Sequence, residues 1–207
     1  MITGIERIKN IIFDFGGVII NLDRQLSIDE FRNIGISDFK EVYEYAVRTK
    51  LFENFEKGDI SPAFFRDELR KFIPGRITDK EIDRAWNAIL LDIPPERIKL
   101  LERLKLLYRT FLLSNTNIIH YEYYTQNLQK HYGYHDFSQL FEKDYFSHRI
   151  GLVKPGKEIF DFVLKESGLD PHETLFIDDL AENIEGAKRA GLSTCLLPPQ
   201  QSITSLF

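Results

Sequence analysis

Asp14 stands inside an almost wholly apolar run, IIFDFGGVII (11–20), and is followed at once by Phe15 and the pair Gly16-Gly17. A carboxylate at the end of a buried strand is costly to desolvate unless a cation pairs with it. Two further apolar runs end on polar residues: RTFLLSNTN reaches Ser114-Asn115, and TLFIDDL reaches Asp178-Asp179. Open α/β sheets take ligands at the carboxyl ends of their strands, so three such endings, distant in sequence, predict one site. Brought together, Asp14, Asp178 and Asp179 would repel strongly without a cation among them. Ligands that are all oxygen, with no His or Cys partner, suit a hard ion, most naturally Mg²⁺. A Mg²⁺ in a polar cleft, with Lys154 and the Ser114 hydroxyl nearby, makes a phosphate site. Each motif alone has a plainer reading. Asp14 reads as an Asp-containing turn, Lys154 as a solvated loop lysine, and Asp178-Asp179 as the cap of a helix N-terminus.

The elements that must position these residues are those of an α/β fold, a Rossmann-like parallel sheet with helices on both faces. Apart from one long insertion, apolar strands alternate with helical patterns. The helix PERIKLLERLKLLY carries Ile98, Leu101, Leu104 and Leu107 at helical spacing. The insertion follows the first strand, which divides the chain into a core of residues 1–22 and 95–207 and a helical cap of residues 23–94. Within it, Ser27-x-x-Glu30 and Thr78-x-x-Glu81 read as capping boxes, and Ser61-Pro62 as a cap with proline in the first turn. Ser37-Asp38 opens a helical run that Gly58 closes. Trp86, spaced with Ile82 and Ile89, belongs to the core of a small bundle.

Composition sets bounds on function. The 207 residues are 43% hydrophobic and 29% charged, ordinary for a globular protein. A net charge of −5 speaks against nucleic-acid binding, and the aromatic run HYEYYTQNLQKHYGYH has too few basic residues for a base-stacking platform. His120, His131 and His135 invite a transition-metal reading, but they lie in an aromatic stretch better explained by packing. The lone Cys195 excludes an internal disulfide and fits a reducing compartment. No apolar run reaches about 18 residues, so no membrane span is expected. Arg7 and Lys9 precede an apolar stretch as in a signal peptide, yet Asp14 and two glycines interrupt it and no small-residue cleavage site follows. The expectation is a cytoplasmic protein acting on a small molecule. No motif marks an interface, and a monomer or weak dimer is expected.

The four segments IIFDFGGVI, FLLSNTN, GLVKPGKEIF and LFIDDLAENIEGAKRAG together resemble the motifs of the haloacid dehalogenase-like hydrolases, in order and across the whole core. The Gly at the second position after Asp14, the run LLSNTN with His120 soon after, and IDDLAENIEGA make the chain similar to the branch that includes α-D-glucose-1-phosphate phosphatase. The resemblance implies that Asp14 attacks phosphorus and forms an aspartyl-phosphate. It implies that Asp14, the carbonyl of Gly16, Asp178 and Asp179 hold Mg²⁺, with Asp179 in direct contact. Ser114 and the backbone N–H of Asn115 would bind phosphoryl oxygens, Lys154 would neutralise the nucleophile–phosphate pair, and Asn183 would brace the aspartate loop. The insertion would be a mobile cap that excludes water and limits substrates to small phosphorylated metabolites, sugar phosphates among them.

Gly16 departs from most phosphatases of that family, which carry there a second Asp acting as general acid and base. Such help is typically worth about 10²–10⁴-fold. Asp23 and His120 are the substitutes the sequence offers, as groups near the substrate. Asp23 reads equally as a turn residue, and His120 as a capping or surface residue. The same glycine supports the alternative of a catalytically weak or inactive phosphate- or metabolite-binding protein. A haloacid dehalogenase also lacks the second acid, but its chemistry needs no metal, whereas Asp178-Asp179 imply one.

Overall fold

The computed structural model describes residues 5–207. Strands β1 (Asn10–Phe13), β2 (Arg109–Ser114), β3 (Lys143–Phe146), β4 (Thr174–Asp178) and β5 (Ser193–Leu196) form one parallel sheet, ordered β3-β2-β1-β4-β5. β1 is central, and all four of its residues are buried, as a continuous apolar run in a sheet covered on both sides requires. The chain leaves β1 toward β2 and β3, then returns to lay β4 and β5 on the other side. That reversal opens a crevice at the carboxyl ends of β1 and β4.

Six helices lie between β1 and β2; the first five, which make up the insertion, are α1 (Arg24–Asn33), α2 (Phe39–Thr49), α3 (Leu51–Glu56), α4 (Pro62–Arg70) and α5 (Asp79–Asn87). The remaining helices are α6 (Pro95–Leu104), α7 (Ile118–Tyr132), the single turn α8 (Ser147–Ile150), α9 (Lys157–Ser167) and α10 (Ala181–Arg189). Strand residues alternate between two cores, as the period of two demands. Ile11, Phe13, Leu112 and Ile177 pack with Leu101 of α6 and Leu128 of α7. Ile12, Phe111, Leu113 and Phe176 pack with Phe160 of α9 and Ala187 of α10.

The inserted helices have a core of their own, built from Phe31, Val42, Phe55, Phe65 and Ile82, with Trp86 packed against it. Phe55 and Phe65 stack with centroids 4.1 Å apart. Ile119 of α7 joins this cluster, so the insertion shares apolar contact with the sheet layer. Its two connections run side by side. The Asp23 N–H donates to the Ile89 carbonyl (2.9 Å), Leu91 to Asn21 (3.0 Å) and Asn21 to Asp92 (2.9 Å).

The Thr78/Glu81 capping box and the Ser61 cap with Pro62 form as the sequence predicts. Two local expectations fail. Ser27 does not cap a helix: Asp23 does, its Oδ1 accepting from the Gln25 N–H (2.9 Å), and α1 begins four residues earlier than the Ser27 box would place it. Ser27 is instead buried and donates to the Ala85 carbonyl (2.8 Å), tying α1 to α5. The run from Phe39 is not one helix but two, broken at Lys50, which takes a left-handed conformation (φ 54°). The break turns Leu51 and Phe55 into the insertion's core. No helix among the described residues is long and apolar enough to cross a membrane.

Gly58 follows α3 with φ 75°, and a Cβ there would lie 2.3 Å from the His148 carbonyl oxygen of α8. It is a close approach of the insertion to the sheet layer. Gly58→Ala meets both a strained dihedral and an immovable backbone atom, and should cost about 1–3 kcal/mol. A fall of several degrees in the thermal midpoint checks this, and an unchanged midpoint would show that the two layers are not in register at this point.

Candidate active site

Parallel register brings the first two acids together. Phe13 pairs with Ile177, so Asp14 and Asp178 are neighbours one residue beyond, and the Asp14 N–H donates to the Ile177 carbonyl (2.9 Å). Phe13 also pairs with Leu112, which sets Ser114, buried at the end of β2, on the other side of β1. Asp179 follows directly. Asp14, Asp178 and Asp179 each offer an oxygen within 4.8 Å of the others. Among the described residues theirs is the only such group of three or more His, Cys, Asp or Glu, and the histidines 120, 131 and 135 form none.

Lys154 lies at the centre of the charge. Its ammonium, with a side chain 1% exposed, donates to Asp14 Oδ1 (2.5 Å), Asp178 Oδ2 (2.8 Å) and the Leu113 carbonyl (3.1 Å). All three donors are used. Burial alone would lower the Lys154 pKa, but Asp14 and Asp178 outweigh it and hold the ammonium above its ordinary value. Burial also pushes the Asp14 carboxyl up, Lys154 pulls it down, and Asp178 pushes it up again. Asp179, half-buried, is raised by desolvation and by Asp178. The site as it stands carries more negative charge than Lys154 offsets.

The surrounding residues hold this cluster in place. Asn183 Nδ2 donates to both Asp178 oxygens (3.1 and 3.0 Å), and the Leu180 N–H donates to Asp178 Oδ1 (2.8 Å). Asp178 is therefore saturated, whereas no other described residue donates a hydrogen bond to the Asp179 carboxylate. Gly17 makes room for it: its φ is 72°, and a Cβ would fall 2.3 Å from Asp179 Oδ2. The turn after Asp14 closes through the Ile19 and Ile20 N–H groups on the Phe15 carbonyl and the Gly17 N–H on Ile20. Arg97 of α6 braces it on the Ile19 carbonyl (3.0 Å). The Gly16 carbonyl takes no part in these bonds and is left free. An all-oxygen set with this excess of negative charge fits a hard divalent cation.

The Asn115 side chain is committed within the protein, which leaves only its backbone N–H, the group the sequence reading names, for a phosphoryl contact. Asn115 Nδ2 donates to the Lys154 carbonyl and Oδ1 accepts from the Lys154 N–H, both at 2.9 Å, clamping the loop that carries the lysine. Its backbone N–H makes no hydrogen bond among the described residues and remains available. A cavity of about 310 Å³ opens above the cluster, lined by Asp14, Gly16, Ser114, Asn115, Lys154 and Asp179 on the sheet side.

The two proposed substitutes for the missing acid fare unequally. Asp23 is engaged as the α1 cap and does not line this cavity, although the next residue, Arg24, does. His120 does line it. Its ring stacks on Trp86 (5.1 Å, 3°), and its Nδ1–H donates to Asn87 Oδ1 (2.8 Å). Burial pushes its pKa down to about 3. His120 is thus a neutral ring with its one N–H committed, not a proton donor. Sequence reasoning missed Arg24 and Glu56, both in the cavity wall contributed by the insertion. Glu56 carried one usable signal: it follows Phe52 by four residues and so shares the inward face of α3.

Residues 8–191 match the family model of the haloacid dehalogenase-like hydrolases. The chain is 33% identical to a D-ribitol-5-phosphate phosphatase of Bacteroides thetaiotaomicron, over 90% of each protein. It is 28% identical to a sesquiterpene phosphatase of Aspergillus oryzae, over 89% of this chain and 87% of that one. In structure it is similar to a family enzyme of Bacteroides thetaiotaomicron crystallised with magnesium and inorganic phosphate: TM-score 0.89, 40% identity, covering 97% of this chain and 99% of the other. With the four motifs converging on one cluster at the sheet edge, the chain belongs to the haloacid dehalogenase-like hydrolases.

Proposed function

We propose that this protein is a Mg²⁺-dependent phosphatase of a small phosphorylated metabolite, a sugar or polyol phosphate, working through an aspartyl-phosphate on Asp14. The observation that carries the reading is the Lys154 ammonium bridging Asp14 and Asp178 beside the free carboxylate of Asp179. Asp14, Asp179 and the Gly16 carbonyl would hold the Mg²⁺, with Asp178 behind them. When bound, the ion supplies charge neutralisation for the phosphoryl oxygens and the nucleophile.

The chain's own residues do the rest. Lys154 opposes the rise that burial gives the Asp14 carboxyl, holds that carboxyl in place, and offsets the charge that gathers on the transferring phosphoryl group. The Ser114 hydroxyl and the Asn115 N–H receive phosphoryl oxygens, and Asn183 fixes Asp178. The inserted helices form a cap that excludes water, and a cavity of about 310 Å³ suits a small substrate. Similarity to a D-ribitol-5-phosphate phosphatase supports a phosphorylated polyol or sugar. The α-D-glucose-1-phosphate branch remains within that class. The three clustered carboxylates favour metal-dependent phosphoryl transfer over dehalogenation. The free thiol of Cys195 supports a reducing, cytoplasmic setting, and the enzyme is read as a monomer or weak dimer.

Gly16 favours one second reading, a protein that binds phosphate and turns over little. A panel of sugar and polyol phosphates, assayed for phosphate release with the purified protein, decides between them. Release should require Mg²⁺, stop on chelation with EDTA and return when Mg²⁺ is restored. Asp14→Asn should reduce it to background. Lys154→Met should lower kcat by about 10²–10³-fold, the usual scale for removing one fixed charge from such a site. Tight binding of phosphate or vanadate without multiple turnovers would instead establish the binding protein.

A further inference from the structure

Gly16 leaves the position beside the nucleophile without a proton donor, and neither Asp23 nor His120 fills the gap. A primary alkoxide is a poor leaving group, so a phosphatase of polyol phosphates needs an acid at the leaving oxygen. The other carboxylates on the cavity wall are Asp179, which belongs to the metal set, Glu182, which is exposed at the rim, and Glu56. Glu56 is the last residue of α3 and comes from the insertion, opposite the sheet edge. Two residues on, Gly58 abuts the His148 carbonyl, so the end of α3 is fixed against the sheet layer rather than carried on a free loop. The Glu56 carboxyl makes no hydrogen bond among the described residues. It is a committed side of the cavity with an uncommitted acid.

We propose that Glu56 is the general acid and base of the reaction, supplying from the insertion the proton chemistry that Gly16 cannot. The proposal rests on the phosphatase reading. In the first half, an Asp14 oxygen attacks phosphorus, the bond from phosphorus to the leaving oxygen breaks, and that oxygen takes the Glu56 proton to depart as the alcohol. In the second, the Glu56 carboxylate takes a proton from water as the water oxygen attacks phosphorus. The bond to Asp14 breaks, inorganic phosphate leaves, and Glu56 is again protonated. The charges around it suit this cycle. Burial pushes its carboxyl up to about 7, Lys154 and Arg24 pull it down, and Glu53 pushes it up. Asp14, Asp179, Glu182 and the neutral His120 share its cavity, and Lys57 and Glu158 flank it on its other side. A group poised near neutrality serves both halves of the cycle.

The experiment compares the wild type with Glu56→Gln, in Mg²⁺, on aryl phosphates of graded leaving-group acidity and one alkyl phosphate. Glu56→Gln should lose about 10²–10⁴-fold on the alkyl phosphate and far less on nitrophenyl phosphate, so that the rate depends more steeply on the leaving group. Because the protonated form starts the cycle, wild-type kcat/KM should fall as pH rises through the Glu56 titration, and that alkaline limb should vanish in Glu56→Gln. Glu56→Asp, which keeps an acid, should retain the wild-type leaving-group dependence at reduced rate. An equal loss across the series, or an unchanged slope and alkaline limb in Glu56→Gln with a wild-type melting temperature, overturns the proposal. If the wild type itself shows no Asp14-dependent release from any member, the phosphatase reading fails first and takes this one with it.

Discussion

The contact between Lys154 and the Asp14–Asp178 pair is the interaction on which the rest of the structure depends. Carboxylates brought this close in a protein interior repel one another, and the desolvation of each adds to the cost. The ammonium meets two of them and a backbone carbonyl at once, which saturates its donors. Removing one partner from such a buried set costs about 3–5 kcal/mol, more than the roughly 1 kcal/mol of any helix cap in the insertion. The loop that brings Lys154 is accordingly clamped by Asn115 at both its N–H and its carbonyl. The negative charge left over is what draws a divalent cation to the same place.

The sheet exists to make that arrangement rigid. β1 contributes apolar side chains to both cores, so Asp14 sits at the tip of a strand that cannot slide without emptying one core into the other. Register with β4 then fixes Asp178 beside it, and register with β2 sets Ser114 across from it. The turn after Asp14 leaves the Gly16 carbonyl without a backbone partner, and Gly17, by lacking a side chain, clears space for Asp179. The inserted helices fold around their own core and return along the strand that carried the chain out, a paired ribbon at Asn21–Asp23 and 89–92.

Much of this was legible in the sequence because the signals are local. Apolar runs gave the strands, capping residues gave Pro62 and Thr78 their helix starts, and each acid stood where an apolar run stopped. The readings that failed depended on contacts across the chain. Ser27 has the spacing of a cap but faces Ala85 and is buried there, which left the cap to Asp23. Lys50 breaks a helix whose periodicity is continuous, because Leu51 and Phe55 must turn toward Phe65. His120 reads as polar and available, yet Trp86 and Asn87, more than thirty residues away in sequence, cover and neutralise it. Glu56 has no motif, and only the folding of the insertion over β1 puts it in the cavity.

The site therefore divides its labour between two layers. Asp14, Lys154 and the carboxylates that would hold a metal ion stand on a sheet edge that register holds fixed. Glu56, the proton donor we propose, stands at the end of a helix that the close approach of Gly58 to His148 fixes against the sheet layer. In the proposed reaction the phosphoryl group would face the sheet and the leaving alcohol the insertion, so one wall would read charge while the other would read the leaving group and hand it a proton. A second Asp beside Asp14 would place the proton donor on the sheet edge itself. With glycine at that position, proton transfer would depend on how the insertion is seated on the sheet layer, through Gly58 at His148 and Ile119 in the insertion's core.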